Sequence, residues 1–327
     1  RIPRLLASKK EIQLSGAAHT WSTIFCSSAG GTHALRSVRG VDLPVFSRVR
    51  NGPQIAHVFR HSSLMVAGED ARNEFTNLGA PDKGLLNDVR VRSCLNKWDL
   101  LAGVRVHRFR YRRHFHKMEP AAFLKDLFNS SAVQDVFELR EGREEWGKPS
   151  GAVESVSFEH VPASVTSMAY FDRLESGDPP LVLPGGRLSK CVDDVIEGFP
   201  VSDLLREFLL REEETENAGL FAEEEKQELL YRLLTHVSLG GPMCQFEDEA
   251  APLLDAAKAM YKALVRAQKN STTGKVEVAT NVYAVTGVEG APWALFPSRS
   301  RQNVCLVCVD PSRRQCLVYY HAFVPYW

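Results

Sequence analysis

Cys244 is followed by Glu247, Asp248 and Glu249, and histidines stand at His236 and His321. A thiol beside an imidazole, with a carboxylate such as Asp248 to orient the ring, is the group set of a thiol nucleophile. A helix N-terminus just after the thiol would lower its pKa further. The three acids act the other way, because negative charge beside a thiol disfavours the thiolate. Glycine, proline and acids are also what a turn between two helices requires. The run "SLGGPMCQFEDEA" therefore reads first as a structural corner. The competing reading is a thiol-dependent enzyme or metal-binding module that uses Cys244 with His236 or His321.

Other groups invite similar tests. Cys305-x-x-Cys308, with Cys316 and His321 beyond, has half the spacing of a zinc site. In an alternating strand, residues three apart point to opposite faces, so the two sulfurs should not meet one metal. "RFRYRRHFHK", Arg108 to Lys117, interleaves cations with aromatics as a nucleic-acid groove would. Yet Lys and Arg total 40 against 40 Asp and Glu, so no global field draws nucleic acid or an anionic membrane. Arg108, Arg110, Arg112 and Arg113 read instead as a protein-binding edge. The glutamates between Glu212 and Glu228 read as a solvated helix start, or as an acidic docking face for a basic partner. His57 and His61 stand four apart in a segment without periodicity. There is no phosphate-binding loop, dinucleotide fingerprint or nucleophile elbow. No catalytic residue, cofactor or metal site is therefore assigned.

The elements that must carry these groups are legible from periodicity. "VRVHRFRY" (104–111) alternates as a strand, with Val104, Val106, Arg108 and Arg110 on one face and Arg105, His107, Phe109 and Tyr111 on the other. "VESVSFEHV" and "KVEVATNVYAVT" alternate too. "NVCLVCVDPSRRQCLVYYHAF" reads as two apolar strands around an Asp-Pro turn, hence a hairpin. Helical spacing marks the stretch before Gly103, the segment 119–128 with Phe123, Leu124, Leu127 and Phe128, and a helix after a cap at Ser202 or Asp203. It also marks one continuous helix from Glu223 to the stop at Gly240 and Gly241, and another with Leu253, Leu254, Ala257, Met260, Tyr261, Leu264 and Val265 on one face. These last two, joined by a short loop, should pack antiparallel. Helices in the middle and strands toward both ends predict an α+β fold: mixed helices and antiparallel strands, with a helical pair followed by a C-terminal β-hairpin region.

The 327 residues, 44% hydrophobic, are enough for one large core. Seven scattered cysteines read as reduced thiols rather than a disulfide framework. No apolar run approaches the ~20 residues of a membrane span. Residues 1–66 hold nine basic and two acidic residues and are rich in Ser and Gly. Residues 1–74 are thus expected to be a disordered, targeting or spurious extension, and 75–327 a single α+β domain.

"LGGPMCQFED", "MYKALVRAQKN" and "VDPSRRQCLVYYHAF", with "CLNKWDLLAGVRVHRFRY" and "SMAYFDRL" at compatible earlier positions, resemble the cilia- and flagella-associated protein 300 family over residues 75–323. The family's pattern falls on Gly240, Gly241, Cys244, Gln245, Phe246, Glu247 and Asp248. The resemblance implies a non-catalytic protein of motile cilia and flagella. It would support cytoplasmic preassembly of axonemal dynein arms and their delivery by intraflagellar transport. Its implied partners are dynein assembly factors, dynein-arm subunits and the transport machinery, and its implied places are the cytoplasm and the axoneme. An adaptor needs surfaces rather than a cleft. The candidates are the corner at Gln245, Phe246, Glu247 and Asp248, the acidic face, and the basic strand. Phe246 would anchor a partner beside outward-facing carboxylates. Alternatively, Phe246 staples the helix start while Glu247 and Asp248 cap it.

Overall fold

The computed structural model describes residues 74–79, 85–211 and 214–326. The expected extension, including His57 and His61, lies outside the described residues except for Glu74. In chain order the chain forms β1 (Phe75–Asn77), α1 (Val89–Lys97), β2 (Val104–Tyr111), α2 (Pro120–Asn129) and α3 (Ser131–Gln134). Two short ladders strands follow, β3 (Leu139–Arg140) and β4 (Trp146–Gly147), then β5 (Ser155–Val161) and the hairpin of β6 (Lys190–Ile196) and β7 (Phe199–Asp203). The helical part is α4 (Leu204–Leu210), α5 (Glu223–Lys226), α6 (Leu229–Leu239) and α7 (Ala251–Leu264). The chain closes with β8 (Ala267–Lys269), β9 (Val276–Val278), β10 (Asn281–Glu289), β11 (Val304–Asp310) and β12 (Gln315–His321).

Six strands make one antiparallel sheet in the order β1-β2-β12-β11-β10-β5. Period-two alternation splits each strand between two cores. Val104 and Val106 of β2, Val282 of β10, Leu306 and Cys308 of β11 and Tyr319 of β12 join α1, α4, α6 and α7 in one core. Phe109, Tyr111, Tyr283, Cys305, Val307, Val318 and Tyr320 face α2 and α3 in the other. The fold is α+β with an antiparallel sheet, as helices in the middle and strands toward both ends imply. Cys305 and Cys308 lie in different cores, on opposite faces of the sheet. Cys316 shares the face of Cys305, opposite Val309. The C-terminal hairpin turns at Asp310, whose Oδ1 accepts from the Ser312 N–H at 3.0 Å and the Arg313 N–H at 3.3 Å.

Local signals set several helix ends. Asp203 Oδ1 accepts from the Arg206 N–H at 2.8 Å, so Asp203 rather than Ser202 caps α4. Pro120 and Pro252 stand in the first turns of α2 and α7, where a missing N–H costs nothing. Phe123, Leu124, Leu127 and Phe128 are the buried stripe of α2. In α6, burying Leu229, Leu230, Leu233 and Leu234 contributes about 1.5–3 kcal/mol each. α6 and α7 pack side by side in the first core.

Three expectations need correction. The helix expected from Glu223 to Leu239 is broken at Gln227–Glu228. Glu228 is extended (φ −59°, ψ 138°) and its carboxylate accepts from the Ser164 N–H at 3.0 Å and the Ser164 hydroxyl, while the Leu229 N–H bonds to the Pro162 carbonyl at 2.8 Å. Tertiary partners there outbid the next helical hydrogen bond. The helix before Gly103 ends at Lys97, not at Gly103, because Asp99 takes the left-handed conformation (φ 55°). The strand read from Lys275 divides at Ala279 and Thr280, where the Thr280 hydroxyl accepts from the Arg266 N–H at 3.0 Å. Among the described residues, no helix is long and apolar enough to cross a membrane.

Candidate partner-binding corner

The end of α1 and the segment after α6 complete one another. A helix C-terminus leaves carbonyls without intrahelical partners. The Gly241 N–H donates to the Trp98 carbonyl at 2.8 Å and the Gln245 N–H to the Lys97 carbonyl at 3.1 Å. The Met243 N–H donates to Asp99 Oδ2 at 3.0 Å. Gly240 ends α6 with φ 66°. At Gly241 a Cβ would strike the Asp99 carbonyl oxygen, so two consecutive glycines are required by conformation and by close approach respectively.

Glu247 turns inward. Its Oε1 accepts from Trp98 Nε1 at 2.9 Å and its Oε2 pairs with Lys97 Nζ at 2.7 Å, leaving the side chain 11% exposed. It clamps the corner to α1 and presents little charge to a partner. Asp248 is exposed and pairs with Lys190 Nζ at 2.8 Å, which holds its carboxyl below the usual carboxylate range. Its carbonyl accepts from the Leu188 N–H at 2.8 Å. Neither acid caps α7, whose N-cap Ala250 makes no side-chain bond. Phe246 does not staple the helix start. Its half-exposed ring lies over the guanidinium of Arg206, 4.4 Å from centroid to Cζ. Gln245 is exposed.

Arg206 is a feature that periodicity concealed, since it stands among Leu204, Leu205, Phe208 and Leu209. It is buried and donates to the Pro200 carbonyl at 3.0 Å, the Ser238 carbonyl at 2.6 Å and Cys244 Sγ at 3.4 Å. The guanidinium favours the Cys244 thiolate, but burial opposes it more strongly, with Asp99 and Glu247 adding to the opposition. The net effect is a thiol pushed up from its ordinary pKa.

The histidines do not complete a dyad with that thiol. His236 Nδ1 donates to Gln302 Oε1 at 2.8 Å, and its Nε2 accepts from the Tyr319 hydroxyl at 2.9 Å, so both ring nitrogens are occupied. The amide of Gln302 donates to the His236 carbonyl at 3.1 Å and the Gly240 carbonyl at 2.6 Å, which fixes that orientation. His321 Nδ1 donates to the Gln302 carbonyl at 2.8 Å. Burial pushes His236 down to about 4 and His321 down to about 3, the latter helped by His236 itself. Both are neutral at neutral pH. Gln302 stands within the polar run Ser298–Asn303 and carried no sequence signal for this role. Among the described residues, no three His, Cys, Asp or Glu side chains are grouped to hold a metal.

The basic residues lie toward the far end of β2, with Arg110 roughly 20 Å along the strand from its first residue, Val104. Arg108 and Arg110 share the face of Val104 and Val106. Arg110 and Arg112 are exposed, Arg108 is half-buried, and Arg113 is paired with Asp126 of α2. The four arginines do not form one even patch. Much of the acidic stretch is engaged internally: Glu225 pairs with Arg173 at 2.6 Å, Glu223 with Lys226, and Glu228 is buried.

The family model described as Cilia- and flagella-associated protein 300 matches residues 72–321. A relative from Chlamydomonas reinhardtii with that name is 45% identical over 255 residues, 77% of this chain and 99% of its own length. One from Paramecium tetraurelia, with the same name, is 28% identical over 243 residues, 74% of this chain and 91% of its own. No solved structure matches. The corner, both faces of the sheet and the C-terminal hairpin all fall within the matched residues, and the chain belongs to the cilia- and flagella-associated protein 300 family.

Proposed function

We propose that this chain is a non-catalytic cilium- and flagellum-associated adaptor. It supports cytoplasmic preassembly of axonemal dynein arms and their delivery by intraflagellar transport, and so ciliary motility. The observation that carries this reading is family membership across nearly the whole length of the Chlamydomonas relative. Its partners are dynein assembly factors, dynein-arm subunits and the transport machinery. It works in the cytoplasm and in the cilium or flagellum, and needs no cofactor.

The corner suits such a role because its backbone is tied to α1 while Met243, Gln245, Phe246 and Asp248 remain accessible. Preorganised side chains lose little freedom on docking. Phe246 offers an aromatic anchor on a buried cation, and Asp248 offers a charge whose exposed pair with Lys190 contributes little and can be exchanged for a partner's cation. Arg110 and Arg112 supply a second, basic contact that steers encounter. Against the thiol-enzyme reading, both ring nitrogens of His236 are bonded elsewhere, His321 Nδ1 is bonded to the Gln302 carbonyl, and burial disfavours the Cys244 thiolate.

The test is a Phe246→Ser, Asp248→Asn variant expressed in place of the wild-type chain in a ciliated or flagellated cell. Recovery of dynein-arm subunits and assembly factors by pull-down should fall sharply while the urea midpoint of the purified variant changes little. Undiminished recovery removes the corner from the interface. Normal dynein arms in cells lacking the chain altogether would overturn the function.

A further inference from the structure

Between β10 and β11 the chain carries Ser298, Arg299, Ser300 and Arg301 on a turn that is held from beneath. Its base is Gln302, 1% exposed, which bonds His236, Gly240 and His321 as described above. The Ser300 hydroxyl accepts from the Gln302 N–H at 3.2 Å, and the Asn303 amide donates to the Ser298 carbonyl at 2.6 Å. Asn303 Oδ1 accepts from the Phe323 N–H at 3.0 Å. A turn so tied has little loop entropy left to lose in a complex.

Two depressions flank the turn and share its residues 298–301. One, of about 730 Å³, is walled by Phe199, Pro242, Phe323, Pro325 and Tyr326. The other, of about 970 Å³, lies between Arg232 and Thr235 of α6 and the sheet residues Ala284, Gly287, Val304 and Leu306. The charged residues lining both depressions pair off: Arg301 with Glu197, Arg232 with Glu159, and Lys226 with Glu223. Arg299 is left over. It is exposed and has no partner among the described residues.

We propose that the turn 298–301 and its two flanking depressions dock an extended, carboxylate-rich peptide segment of a partner protein, with one aromatic side chain seated against the wall that Pro242, Phe323 and Pro325 make in the smaller depression. An unpaired guanidinium on a tied backbone can take a carboxylate in a two-pronged, charge-assisted pair. The exposed Arg301–Glu197 pair contributes little in the free protein and can reorient toward a second carboxylate. The proline and aromatic walls favour a flat side chain. A nucleic-acid backbone fits poorly, because a phosphate track needs a row of unpaired cations and Arg299 alone among the charged lining residues is unpaired. The surface is separate from Phe246 and Asp248, and it stands or falls independently of the assembly role.

The test uses the full chain and a fluorescein-labelled synthetic peptide of about twelve residues, Glu and Asp around a single Phe, followed by anisotropy. The expected result is saturable binding that weakens as salt rises. Arg299→Glu should weaken it by about tenfold or more, and exchanging the peptide's Phe for Ser by several-fold, each tenfold corresponding to about 1.4 kcal/mol. Arg299 is exposed, so the melting temperature of the variant should match wild type. Tyr326→Ala, at the rim of the smaller depression, should also weaken binding. Equal affinity for a peptide with Gln and Asn in place of the acids would overturn the proposal. So would undiminished binding by Arg299→Glu, or competition by a single-stranded oligonucleotide at lower concentration than the acidic peptide itself.

Discussion

Lowering the pH from about 7.5 to about 5.5 is expected to destabilise this fold by about 2.7 kcal/mol through His236 and His321 alone. Both are fully buried and neutral, with values pushed down to about 4 and about 3 by desolvation, against about 6.5 in the unfolded chain. Between those limits the unfolded chain binds more protons than the folded one. Stability therefore rises with pH there, is fully present above the unfolded value, and is lost as pH falls toward the folded values. Each site contributes about 1.4 kcal/mol over this interval, nearly independent of its folded value, since both lie below the range tested. Protonating His236 would force the Tyr319 hydroxyl to give up donating to Nε2, and Arg140 adds repulsion at His321. His107 and His160, also pushed down by burial, add in the same direction, while Asp203, pushed up by burial, opposes. Asp310, Glu225 and Asp248 are held below their ordinary values and release their contributions only at lower pH. The assay is urea unfolding at the two pH values. His236→Gln should be less stable at neutral pH yet lose only about half as much from the histidine pair on acidification. Equal wild-type stability at both pH values, or an unchanged pH dependence in the variant, would refute the buried neutral pair.

Glu247→Ala leaves Trp98 Nε1 buried without an acceptor and should cost about 1–3 kcal/mol in urea unfolding, with Glu247→Gln costing less because the amide oxygen still accepts. Gly241→Ala drives a methyl group into the Asp99 carbonyl and should lower stability by about 1–3 kcal/mol, measured by thermal unfolding. Native Cys244 should react slowly with a disulfide reagent near neutral pH and rapidly once unfolded, and Cys244→Ser should leave dynein-arm assembly intact in a rescue experiment.

Period and punctuation were enough to read most elements. The alternation of Val104–Tyr111 assigned each side chain to its sheet face, and the Asp-Pro turn located the C-terminal hairpin. The opposite orientation of Cys305 and Cys308 also followed from the two-residue repeat. Such features depend on neighbours a few residues away, and a linear sequence contains all of them. Where distant groups compete with local propensity, the reading faltered. The strong helical pattern from Glu223 breaks because Ser164 and Pro162 capture the groups that would continue it.

The candidate site divides in the same way. The two glycines after Leu239 announced a helix stop, and the residues around Cys244 announced a corner. Which way its acids face was settled by Trp98, 149 residues away from Glu247, and by Lys190, which pairs with Asp248. The amino-acid string alone determined that a thiol, two histidines and three acids were available. Only the tertiary structure decided that the histidines bond to Gln302 and Tyr319, that a buried guanidinium lies beneath Phe246, and that the thiol stays protonated. Hydrogen bonds are short and directional, so the chemistry of each group was set by what the fold brought within about 3 Å of it.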